Sequence, residues 1–114
     1  MAQLNFNLPT GSIRVELAAE TAKDIQTALD RLMQSLKIVA TQMASATRST
    51  PQRSFEYSHS DGVFLEIFCN PNLYPSPFAA KVLLTVRDAQ LRLTVETELN
   101  QMIEDVNQFV DAQS

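Results

Sequence analysis

The stretch Thr21–Ala46, TAKDIQTALDRLMQSLKIVATQMASA, decides how this chain folds. Ile25, Leu29, Leu32, Leu36, Val39 and Met43 recur at alternating steps of four and three, the spacing of one helix face. At ~1.5 Å per residue such a helix spans roughly 35–40 Å, long enough to cross a sheet. Two-stranded heptads would give the same seam, but a coiled coil carries charges beside it. Here the flanking positions hold Ala28, Met33, Ser35, Ala40 and Gln42. They widen the apolar stripe to roughly 140° at about 100° per residue, which suits a helix lying on a sheet. Thr21 and Asp24 have the spacing of a capping box at its start. Ile38 lies nearly opposite the seam, either a lone surface residue or a second contact such as a dimer partner.

The sequence on both sides alternates with period two. Leu4, Phe6 and Leu8, then Ile13, Val15 and Leu17, flank Pro9-Thr10-Gly11, predicting a hairpin before the helix. After it comes a polar loop, Ser45 to Ser54, carrying Arg48, Pro51 and Arg53. Phe55, Tyr57 and His59 lead into Asp61-Gly62, a two-residue hairpin signal. The return strand is apolar on both sides: Val63, Leu65, Ile67 and Cys69 on one face, Phe64 and Phe68 around Glu66 on the other. Such a strand is central and covered on both faces, or else covered by a partner.

Pro71, Pro75 and Pro77 exclude helix and central strand from Asn70 to Ala79, leaving a stiff loop that carries Leu73, Tyr74 and Phe78. Val82, Leu84 and Val86, a turn at Arg87-Asp88-Ala89, and Leu91, Leu93 and Val95 predict a third hairpin. A last helix begins near Thr97, with Leu99, Met102, Ile103, Val106, Phe109 and Val110 on one face. The expectation is a single α+β domain over residues 1–114. It would hold an antiparallel sheet of about six strands, in the order ββα-ββ-ββα, packed by one long helix and a C-terminal helix.

Composition narrows the function classes. Nine basic and thirteen acidic side chains leave a net charge of −4. That balance argues against nucleic acid, where Lys and Arg neutralising phosphates supply most of the affinity, and against anionic lipid. From Thr94 onward lie Glu96, Glu98, Glu104, Asp105 and Asp111 and no basic residue, read as a solvated acidic face. A single unpaired cysteine, an N-terminus without the pattern of a signal peptide and no run of ~20 apolar residues predict a cytoplasmic chain without a membrane span.

Chemistry-bearing residues are sparse. One His and one Cys offer no zinc ligand set, and both glycines belong to turns, so neither a metal, a phosphate-cradling loop nor any other cofactor is expected. Cys69 and His59 lie on paired strands but far apart along them. Glu66, if its face were covered, would be a desolvated carboxyl of the type a general acid needs; on an open strand it guards against edge aggregation. The expected function is a non-enzymatic interaction, assembly or chaperone-like module, acidic and homodimeric. It would contact a protein partner through Phe64, Phe68, Leu73, Tyr74, Phe78 or Ile38. The alternatives are a carrier of a small hydrophobic ligand between helix and sheet and, behind it, a small enzyme using Glu66 or His59.

Overall fold

A computed structural model of the protein describes residues 2–45 and 51–113. Arg48 and the middle of the loop read between Ser45 and Ser54 lie outside the described residues, as does Ala46. The order of elements is β1 (Ala2–Leu8), β2 (Gly11–Leu17), α1 (Ala19–Ser45), β3 (Phe55–Asp61), β4 (Val63–Cys69), β5 (Lys81–Arg87), β6 (Arg92–Glu98) and α2 (Leu99–Gln113). Short 3-10 turns at Pro71–Leu73 and Pro77–Ala79 shape the Pro-rich loop.

The α+β class and the antiparallel pairing are as expected, but the strands form two sheets rather than one of six. Among the described residues β1 pairs only with β2, and β3-β4-β5-β6 is a separate four-stranded meander. The reason lies in what β1 packs on. The Asn7 backbone N–H donates to Asp105 Oδ2 of α2 (2.7 Å) and Asn7 Nδ2 donates to Asp105 Oδ1 (2.8 Å). An edge amide bonded to a helix side chain is not offered to another strand, so the helix covers this edge.

Three turns refine the hairpins. Leu8 opposes Gly11, so Pro9-Thr10 alone makes the first turn; Gly11 belongs to the strand, without the positive φ of a turn glycine. Asp61 opposes Val63, leaving Gly62 alone at the apex with φ 77°. Only Gly62 lies between the paired strands, one residue fewer than the Asp-Gly signal implies, and it takes the left-handed conformation that glycine favours. The third hairpin closes over four residues from Arg87↔Arg92, and Asp88 organises it by accepting from the N–H groups of Gln90 and Leu91, both at 2.8 Å. Those two amides hold the exposed Asp88 carboxyl below the usual carboxylate range.

The helix α1 starts two residues before Thr21, so Thr21 lies buried inside its first turn and is not the cap the Thr21/Asp24 spacing suggests. Ile25, Leu29, Leu32, Leu36 and Val39 are buried as the seam requires. Met43 is not: it is half exposed on the last turn. The C-terminal helix begins at Leu99, two residues later than Thr97, because Thr97 is still paired with Val82.

One contiguous core joins Leu4, Phe6, Val15 and Leu17 of the hairpin with the α1 seam, Leu65, Ile67 and Cys69 of β4, Val82 and Leu84 of β5, and Leu99, Met102, Val106 and Phe109 of α2. Gln26 of α1 reaches Asn107 of α2 with a 2.8 Å hydrogen bond across the helix pair. The helices therefore lie on one face of the four-stranded sheet. Among the described residues no helix is long and apolar enough to cross a membrane.

Candidate functional site: the open face of the sheet

Strand pairing places the outward side chains of the meander. Three rows cross the sheet: Glu56–Phe68–Leu83–Glu96, Ser58–Glu66–Thr85–Thr94, and Ser60–Phe64–Arg87–Arg92. None of the apolar residues in these rows belongs to the core and neither helix lies over them, although Thr85 in the middle row is itself buried. Phe64 and Phe68 are thus half-buried on the face away from the helices, where the two-sided pattern of β4 asks for a cover that the chain's own helices do not supply. Leu83, 40% exposed, joins them and is the residue the sequence reading misses. Its signal was there: in Val82-Leu83-Leu84, a strand with one buried face must turn one apolar side chain outward.

The face is polar at both ends with opposite sign. At one end the Arg87 guanidinium sits 4.2 Å over the centroid of the Phe64 ring, a cation–π contact, beside its cross-strand neighbour Arg92. At the other end stand Glu56, Glu96 and Glu98, with Lys81 3.7 Å from Glu96 in an exposed ion pair. Between them the Thr85 and Thr94 hydroxyls share a 3.2 Å hydrogen bond.

The Pro-rich loop borders the acidic end. A hollow of about 170 Å³ opens there, lined by Phe68, Leu73, Tyr74, Lys81, Leu83 and Glu96 among others. The loop is held in shape by asparagines. Asn70 caps the 3-10 turn by accepting from the Asn72 N–H (3.1 Å), and Asn72 exchanges bonds of 2.8 and 2.7 Å with the Gln52 backbone. Its three candidates part company. Tyr74 folds back against the core, and burial foremost, then Cys69 and Glu96, pushes its phenol up, opposed by a backbone hydrogen bond from Lys81. Leu73 and Phe78 remain exposed, Phe78 at 84%.

Phe68, Leu73 and Tyr74 are therefore brought together, Phe64 lies at the far end of the same face, and Phe78 stands outside the hollow. Ile38 belongs elsewhere. It sits on the outward side of α1 in a shallow groove with Gln34, Lys37, Thr41 and Gln42, away from the sheet's open face.

The chemical candidates are separated. His59 opposes Leu65 and shares the core-facing side of the sheet with Cys69, which opposes Phe55 at the other end of β3. Glu66 is on the opposite face, between Ser58 and Thr85. Among the described residues no group of three or more His, Cys, Asp and Glu is gathered as a metal site would need. Cys69 is buried, and that burial raises its thiol from 9.0 to about 11. The thiolate fraction at neutral pH falls with it, so a thiol reagent is expected to label the native chain roughly a hundredfold more slowly than the unfolded one. Because the folded thiol titrates above the unfolded one, the stability it supports is complete below about pH 9. It is lost, up to about 2 kcal/mol, as pH rises toward 11. A Cys69→Ser chain melted across that range should lack this part of the alkaline loss.

Asp105 is the residue most misplaced by the acidic-tail reading. It is 4% exposed and accepts three hydrogen bonds, two from Asn7 and one from Gln101 Nε2 at 2.9 Å. Its spacing from Met102 and Phe109, three and four residues, was the available signal that it lies on the buried face.

No protein-family model, curated protein or solved structure matches the chain.

Proposed function

We propose that the protein is a non-enzymatic interaction module of assembly or chaperone type that works as a homodimer in the cytoplasm. Its open sheet face receives an amphipathic segment of another protein. One observation carries this reading: Phe64, Phe68 and Leu83 stand on a sheet face that the chain's own helices leave uncovered. An apolar band of this type on a folded surface marks a contact site. The charges state what fits. The occupant is apolar along one side, acidic where it lies over Arg87 and Arg92, and basic where it reaches Glu56, Glu96 and Glu98. The hollow between Phe68, Leu73 and Tyr74 offers its end an anchoring pocket on a stiff frame.

The carrier alternative is less well supported, since the space between α1 and the sheet is filled by buried side chains and the hollow beside Tyr74 opens at the surface. The enzyme alternative has less support, since Glu66 and His59 are on opposite faces and no group of three or more His, Cys, Asp and Glu is gathered among the described residues.

The test is selection of binding segments from a displayed library of random peptides. Enriched peptides should alternate apolar residues with charges in the stated order. Phe68→Glu should weaken their binding by tenfold or more, about 1.4 kcal/mol, at an unchanged circular dichroism spectrum. Peptides whose binding is indifferent to Phe68→Glu and Phe64→Glu, or no enrichment at all, would overturn the reading.

A further inference from the structure

β6 ends the four-stranded sheet, and its outer edge pairs with no other strand among the described residues. It is seven residues long, Arg-Leu-Thr-Val-Glu-Thr-Glu, with neither proline nor glycine to spoil it as a template. Arg92, Leu93, Thr94 and Glu96 are all exposed, and Leu93 keeps 40% of its surface although it faces the core side. Edge charges usually repel a second strand. Here they match one, because the strand is complementary to itself when reversed.

Laid antiparallel against a second copy and centred on Thr94, the strand opposes Arg92 to Glu96, Leu93 to Val95 and Thr94 to Thr94. The twofold symmetry makes each unlike pair twice. Arg92 and Glu96 both point to the open face, Leu93 and Val95 both to the core side, so side chains meet in kind on each surface. Leu93, which already opposes Val86 and is still 40% exposed, gains a second apolar neighbour. The Thr85–Thr94 bond already crosses the sheet at this row, and a Thr94–Thr94 contact continues it. Other alignments do worse. Centring on Val95 would pair Arg92 with Glu98 but sets Leu93 against the buried Thr97 and Thr94 against Glu96, and the opposite edge, β3, sets Glu56 against Ser60.

We infer that two copies of this chain join through β6, in the register centred on Thr94, into one continuous eight-stranded antiparallel sheet. Both open faces then lie on the same side, forming a single surface on which each Arg92 neighbours the other copy's Glu96. The inference deepens the homodimer part of the function proposed above and is independent of what the open face binds.

Sedimentation equilibrium and cysteine cross-linking test it. The wild-type chain should have twice its 12.7 kDa mass. Arg92→Glu or Glu96→Arg alone sets like charges against each other at two places and should raise the dissociation constant about tenfold or more, with the circular dichroism spectrum unchanged. The double variant restores both pairs and should dimerise like the wild type. Thr94→Cys, facing its own copy at the strand-pair Cα distance of about 4.5–5.5 Å, should cross-link on mild oxidation, and Val95→Cys should not. A monomeric wild type would overturn both the homodimer and this edge. A dimer insensitive to the charge reversals, or linked by Val95→Cys rather than Thr94→Cys, would overturn the edge and register alone and leave another dimer interface standing. Peptide binding at the open face is read separately, by Phe68→Glu.

Discussion

Replacing Asp105 by Ala is expected to destabilise the protein by about 3 kcal/mol, lowering the melting temperature of a chain this size by more than about 10 °C. The carboxylate is 4% exposed and is the meeting point of β1 and α2. It accepts the Asn7 backbone N–H at 2.7 Å, Asn7 Nδ2 at 2.8 Å and Gln101 Nε2 at 2.9 Å. Alanine removes all three acceptor interactions and leaves a gap at the helix–hairpin contact. The isosteric Asp105→Asn separates hydrogen bonding from packing. An amide presents one acceptor and two donors where the site supplies only donors, so it should still cost about 2 kcal/mol. Asn7→Ala, which keeps the backbone bond, should cost about 1 kcal/mol. Denaturant unfolding of the four chains checks the order. An Asp105→Ala loss below that of Asn7→Ala would show that the hairpin is held by its apolar face alone.

The second large effect belongs to the long helix. Leu36→Ala should cost about 3 kcal/mol and Met43→Ala less than about 0.5 kcal/mol, although both occupy the same seam. Leu36 is fully buried in the common core, so truncation leaves a cavity that rigid neighbours on the sheet and the second helix cannot close. Met43 is 50% exposed on the last turn of α1, past the core. A coiled-coil seam would weigh the two positions alike, whereas a helix crossing a sheet weighs them by what lies beneath. Chemical denaturation of the two variants distinguishes these geometries, and equal losses would contradict the observed packing.

Much of this architecture was legible before the tertiary structure. Period-two alternation located all six strands and the four-three spacing both helices, because each pattern reports a local geometry repeated over several residues. The apolar outward residues Phe64 and Phe68 implied a strand covered on both faces or by a partner, and the chain's own helices lie on the other face. The turns were less legible. Asp61-Gly62 signals a hairpin, but only the pairing of Asp61 with Val63 shows that Gly62 stands alone at the apex. Thr21 has the spacing of a cap, yet Ala19 already starts the helix, since capping depends on where the preceding strand releases the chain. Asp105 was the largest misreading: charge suggests solvent, and its hydrogen bonds from Gln101 and from Asn7, ninety-eight residues away in sequence, make burial tolerable.

The division follows from range. Residues a few positions apart sufficed for the helix Ile25–Val39 and the three hairpins. Contacts between distant elements decided the remainder. Asp105 of α2 bonds the outer edge of β1, and the six strands form two sheets. The packing of both helices on one side left Phe64, Phe68 and Leu83 uncovered on the other. Periodicity states which residues share a face. Which face meets a neighbour is settled only when elements compete to bury the same surface, and that competition takes place in three dimensions.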